Sequence, residues 1–460
     1  MPSRVRPADT RPKTGSKQEA APWRPSRNPS APTPAPRLAR GALSLFDTLS
    51  STLANLAPVE GIFLSITLVV VAMGSQAPWA FLVAGVAILA TGNTMSEFSQ
   101  TIPSAGSFVT FIGRGFGSRA PKTGSALAGL AYYLLMICYP VTVAAVVVFM
   151  GSWVAALFNW GNAGWLAVTL VGVALAVPLL LRGVVISARA SFIMFCSEAL
   201  GLIILSIVVL SLVHGNHLSA PFHANGGSPG GFRGLVGLTF ALAVTGVNFL
   251  GSFNEAAPFL DLSRHFSRWF DWFIGLVGFT SSFGCFIAAA NSQTRITFNG
   301  ARAGLLPPRM ATVSRTKVPW ASVFIYTGLT VLLVVIPYFT MHGNAVSIFS
   351  DEAGIGTVPI LIVYLLANIA LPLHVLATGR AAFSPVKHVL IPLIGSAVLV
   401  YGVYKFVQPG QPAPANVFWA WILGIVALSA IATAIVYVRR PDALSRAGTT
   451  GPELVIEDAR

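Results

Sequence analysis

The chain has 460 residues, of which 54% are hydrophobic and only 10% charged, and its formal net charge is +14. A soluble globular chain carries roughly a quarter charged residues, so a water-soluble protein with a polar shell is excluded. The positive excess does not point to nucleic acid as a partner, because the basic residues sit in the tails and between apolar runs, as they do in membrane proteins that keep Lys and Arg on the cytoplasmic side.

Taken in chain order, the first 40 residues hold nine Arg and Lys, many prolines and no aliphatic run. They lack the apolar centre of a signal peptide and read as a disordered basic cytoplasmic tail over 1–41. Beyond it the apolar residues fall in runs of about 20, enough for a helix to cross a hydrocarbon core of roughly 30 Å. The runs predict helices near 47–73, 77–98, 124–152, 164–181 and 187–213, then near 235–258, 269–293, 319–340, 346–373, 386–407 and 416–438. The fold class is therefore all-α, a polytopic membrane protein with about 11 transmembrane segments. The membrane domain covers 42–440 and a cytoplasmic C-terminal tail covers 441–460. The expected location is the cell (plasma) membrane, with the N-terminus cytoplasmic and the lipid bilayer as partner.

Charge alternation assigns the loop with Arg114, Arg119 and Lys122 and the one with Arg182 to the cytoplasm, and the uncharged stretch near Trp160 to the outside. One segment breaks the pattern. Arg264 and Arg268 precede 269–294, and Arg295, Arg302, Arg309, Arg315 and Lys317 follow it, so both of its flanks look cytoplasmic. A helix of that length spans about 39 Å, one crossing. Either a span is missing or this segment does not cross.

Two segments are interrupted. The first places Pro58, Glu60 and Gly61 in mid-span. Proline there removes a helical hydrogen bond at a cost of about 3 kcal/mol, so the helix is expected to break where freed backbone groups face a cavity, or to kink without a binding role. Gly246, Asn248, Gly251, Asn254, Glu255 and Pro258 interrupt the segment at 235–258 in the same manner. A pair of interrupted helices in two corresponding halves points to a solute site near the midplane.

TIPSAGSFVTFIGRGFG, preceded by Glu97, resembles the cytoplasmic stretch after the second helix in permeases of the amino acid, polyamine and organocation superfamily. NSQTRITFNGARAGLLP is similar to the stretch that closes their eighth helix, and Glu60 with Gly61, Ile62 and Phe63 stands where they usually write Gly-Ser-Gly-Ile-Phe. The resemblance covers roughly 42–440. It implies a leucine-transporter-type inverted repeat of five plus five helices with two accessory helices. The substrate would lie between the broken first and sixth helices, lined by Ala57, Pro58, Val59, Glu60 and Gly61 and by Thr245, Gly246, Val247, Asn248 and Phe249. Val59 and Glu60 replace the family's Gly-Ser, and Gly251 to Glu255 replaces its Gly-Phe-Glu. Since 274–293 matches the eighth helix, the equivalent of the seventh transmembrane helix is expected to be absent.

The acids identified within or near the spans are Glu60, Glu198 and Glu255, and an ionisable group at that depth costs at least ~2.5 kcal/mol on insertion scales. Glu60 and Glu198 are the proton-coupling candidates. The alternatives are a helix-capping role for Glu60 and a bond from Glu198 to a neighbouring helix. Tyr132 and Tyr133 either close the pocket against an amine or simply pack. Thr280, Ser281 and Ser282 could ligate sodium, or bond their own helix. His214, His217 and His223 read as a solvated loop, with zinc as the alternative. Cys138, Cys196 and Cys285 have unrelated spacings, so no disulfide, metal site or cofactor is expected, and no catalytic motif supports an enzyme. The resemblance thus implies a carrier for an amino acid, amine or related small organic cation, working by alternating access with a proton or by exchange. If the missing helix has removed transport, a binding, sensing or vestigial membrane protein is left.

Overall fold

The computed structural model describes residues 77–102, 107–182, 184–212, 267–314, 318–378, 383–410 and 415–449. These form helices and their connections, with no strand among them. We number the helices α1 (Ala77–Thr101), α2 (Ser107–Gly117), α3 (Pro121–Phe158), α4 (Asn162–Leu181), α5 (Val184–Leu212), α6 (Arg268–Ala303), α7 (Trp320–Thr340), α8 (Ala345–Thr378), α9 (Ile391–Val407), α10 (Phe418–Arg439) and α11 (Pro441–Thr449). Among the described residues nine helices are long and apolar enough to cross a membrane. Each corresponds to one of the apolar runs. The remaining two runs, 47–73 and 235–258, lie outside the described residues.

The central column is α3. Its 38 residues are apolar on nearly every side, and most of its apolar stretch is buried against other helices rather than facing lipid. It packs against α2, α4, α6, α7, α8, α10 and α11. Close approach depends on small residues, as in membrane helices generally: Gly151 lies against Thr169 and the Trp165 carbonyl of α4, and the Thr169 hydroxyl donates to Val147 O at 3.1 Å. The 36-residue α6 runs antiparallel to α3. Trp153 Nε1 donates to Gly275 O at 3.1 Å near one end, and the Tyr133 hydroxyl donates to Leu305 O at 2.7 Å near the other.

Each end of the bundle has its own chemistry. At one end, Asn93 of α1 donates to Lys387 O, Ser118 donates to Leu373 O and Arg440 donates to Gly304 O. That end gathers Arg114, Arg119, Lys122, Arg182, Arg302, Arg309, Lys387, Arg439 and Arg440. At the other, Asn162 and Trp165 donate to His342 O and Gly343 O, and Phe158 packs against Trp272. Among the described residues its basic side chains are Arg268 and Lys405.

This geometry corrects one sequence expectation. The flanks of α6 do not share a side: Arg268 stands beside the α3 C-terminus and Arg302 at the basic end. Because α6 stays antiparallel to α3 along its length, it crosses. The stretch after α1 also differs from a plain loop. Phe108, Phe111 and Ile112 recur at helical spacing, and α2 buries Val109, Phe111 and Ile112, with Phe111 stacked on Phe98 at 4.8 Å. Beyond α10, α11 buries Ala443 and Leu444 against the core that includes Ala128 and Tyr132.

Candidate functional site

The residues expected to line the two helix breaks, Ala57, Pro58, Val59, Glu60 and Gly61 with Thr245, Gly246, Val247, Asn248 and Phe249, lie outside the described residues, as do Glu255 and the three loop histidines. The described candidates fall at two helix seams.

The first seam joins α5 and α6. Ser191 donates to Gly284 O at 3.3 Å, and Gly201 lies against Val277. Between these contacts sits Glu198, 1% exposed, whose Oε1 accepts the Ser281 hydroxyl at 2.7 Å. One residue earlier, Ser197 and Thr280 hydroxyls meet at 3.3 Å. The helices approach because Gly201 and Gly284 remove side chains, and the polar groups then pair across the gap. The Thr280 and Ser282 hydroxyls also donate to their own helix, at Val277 O and Gly278 O.

The second seam joins α3 to the end of α6. Gly304 has φ 90°, and its N–H reaches Ala301 O while Leu305 N–H reaches Gly300 O, the paired bonds of a left-handed glycine cap. This is the structural use of the Gly-x-Leu-Pro signature. The Tyr133 hydroxyl holds Leu305 O, Tyr132 lies against Gly300, and the two rings meet edge-on at 5.3 Å. Tyr133 thus ties α3 to the basic end of α6.

Two further features were not identified from the sequence. At the basic end, Val386–Leu390 is a π turn leading into α9. It carries His388, whose Nε2 lies 3.1 Å from Glu97 Oε2, while Lys387 Nζ is 3.9 Å from Glu97 Oε1. Ser384 N–H donates to His388 Nδ1 at 2.9 Å, so the ring proton is on Nε2 and points at the carboxylate. π turns are rare, and those that occur are frequently at functional sites. Within the span α8, Glu352 is 7% exposed, and among the described residues neither of its carboxylate oxygens has a hydrogen-bond partner, nor has Asp351 Oδ1. The sequence carries the signal: SDEAG places two adjacent acids inside the run 346–373, in addition to Glu60, Glu198 and Glu255.

Long apolar helices, small-residue seams, buried acids and one strongly basic end define a multi-pass helical membrane protein. The chain belongs to the amino acid, polyamine and organocation superfamily: residues 48–253 match an amino acid permease family model and residues 244–428 match a second one, also described as amino acid permease. No curated protein matches the chain.

Proposed function

We propose that the chain is a secondary active transporter that moves an amino acid, an amine or a related small organic cation across the cell membrane by alternating access. The observation that carries this reading is the pair of consecutive permease matches, which together reach from residue 48 to residue 428. The substrate site lies between the interrupted first and sixth segments, with Val59, Glu60 and Gly61 on one side and Thr245 to Phe249 on the other. Glu60, where relatives have a small residue, favours a substrate with a positive amine. The basic end faces the cytoplasm, consistent with the collection of Lys and Arg there, and uptake is driven by a proton or by exchange.

The same reading holds that the equivalent of the seventh helix is absent. Leu212 and Arg268 stand at the same end of the bundle, since Leu205 packs with Phe270 and Ile274. The family places two helices in this interval, and the sequence offers one apolar run of membrane length, 235–258. One run where two helices are expected favours the absence, and because ends on the same side need an even number of crossings between them, the reading also requires that 235–258 does not cross in full.

The test is uptake of labelled amino acids and amines by purified protein in liposomes. Wild-type protein accumulates at least one of them, and Glu60→Gln lowers that uptake about tenfold or more, the loss of one charge-assisted contact. Absence of uptake across a broad panel, with ligand-induced thermal stabilisation retained, would instead establish a binding or sensing protein.

A further inference from the structure

α8 runs antiparallel to α3, and two contacts fix which part of α3 Glu352 faces. Phe349 meets Phe149 with ring centroids 6.2 Å apart, and Gly356 lies against Thr142. Residues 349, 352 and 356 share one helical face, so Glu352 stands opposite the α3 stretch 143–148. That stretch reads Val-Ala-Ala-Val-Val-Val and offers no side-chain donor. The Thr142 hydroxyl, one residue before that stretch, donates to Cys138 O at 3.2 Å.

An ionised carboxylate in this position has no compensating donor among the described residues, and burying an unpaired charge is among the costliest events in a protein. The neutral acid carries its own proton and escapes most of that cost. Asp351 is the adjacent residue, and two neighbouring carboxylates disfavour a second negative charge. Glu198 differs: it has the Ser281 hydroxyl in place. A metal ion is a poor occupant, since among the described residues no group of three or more His, Cys, Asp or Glu side chains could hold one, whereas a proton needs no further ligand.

A water-accessible cleft also lies toward the acid from one end of the bundle. A cleft of about 690 Å³ opens at the end opposite the basic one, lined by Ser152, Asn162, His342, Asn344 and Val346 among others. It reaches Ser152 of α3, one turn past Phe149, and Val346 of α8, six residues before Glu352, or about 9 Å of helix. The half-buried Asp351 is one residue nearer the cleft end along α8. On the elements packed against the outer part of α8, the titratable groups are Tyr139 of α3, Tyr338 of α7 with His342 after it, and Tyr401, Tyr404 and Lys405 of α9. None of them bonds either Glu352 oxygen.

We infer that Glu352 is the proton-coupling acid of the carrier, loaded from the end opposite the basic one with Asp351 as the relay beside it. This rests on the transporter reading above and adds the residue that would take up and release the driving proton.

Two measurements test it. In proteoliposomes, wild-type protein accumulates labelled amino acid under an inwardly directed proton gradient. Glu352→Gln, which mimics the neutral acid permanently, loses at least tenfold of that accumulation while exchange of internal for external solute persists, and Glu352→Asp restores part of the coupling. Gradient-driven accumulation surviving in Glu352→Gln, or a sodium gradient driving wild-type uptake in place of protons, overturns the assignment. So does loss of exchange and accumulation together in a monodisperse Glu352→Gln protein, which would mark a substrate contact. Independently, a hydrophobic carbodiimide, which reacts with protonated buried carboxyls, should modify Glu352 in the wild-type protein, and the modification should decline as pH rises. Absent or pH-invariant modification overturns the proposal even where no transported solute has been found; a protein that transports nothing but shows pH-dependent modification fails only the transport reading.

Discussion

Glu198 and Glu352 illustrate two ways of keeping a carboxyl group inside an apolar bundle. Glu198 receives the Ser281 hydroxyl, so Ser281→Ala removes a donor from a buried acceptor. The expected cost is about 1–2 kcal/mol, read as a lower unfolding temperature in detergent, with Ser281→Thr retaining most of the stability. A variant as stable as wild type would show that the Glu198 contact contributes nothing. Glu198 was legible in the sequence because it stands alone in an apolar run. Its partner was only one of three hydroxyl candidates, since choosing among Thr280, Ser281 and Ser282 requires the rotation of α6 about its axis. The acid pair at Asp351 and Glu352 was equally visible as letters, yet its position near the start of a predicted span reads like an interfacial charge. Burial against Val143 to Val148 comes from the packing of α8 on α3, which the local sequence does not specify.

At the level of elements, apolar runs located every described membrane helix but shortened the longest ones. α3 starts at Pro121 and ends at Phe158, beyond the expected 124–152, and α6 continues to Ala303, ten residues past the apolar run. TRITFNGARA reads as a loop because it is polar. It remains helical because Phe298 and Ala301 pack against Ala311 in the 3-10 turn Pro308–Ala311, and packing supplies most helical stability where propensity is weak. The helix then stops at Gly304, whose left-handed backbone a side chain would strain. Gly304→Ala should therefore cost about 1–2 kcal/mol. The measurement is denaturation in detergent, with Gly402→Ala, a site whose added methyl meets nothing within 4 Å, as the reference. Equal effects at the two positions would remove the cap from the account.

For the whole molecule, the nine described spans and the basic end were readable from hydropathy and charge, whereas the direction of α6 was not. Arg264 and Arg268 look cytoplasmic to a rule that counts cations, but Trp153, Leu157 and Phe158 hold the start of α6 at the far end of α3. Reporters fused near Arg309 and after Arg440 should therefore give a cytoplasmic signal, and one inserted at Gly161 an external one. An external signal at Arg309 would overturn both the orientation and the placement of α6. The described helices also differ greatly in length. α3, with 38 residues, is about 57 Å long, while the peripheral α10, with 22, is about 33 Å, close to the roughly 30 Å of a hydrocarbon core. Most of α3 is sheathed by protein, but α10 exposes Leu423, Leu428, Ile431 and Ile435. Acyl chains of different length therefore act on the short outer helices, which must tilt or stretch to match them, while the long axis of the bundle is insulated from the thickness of the lipid around it.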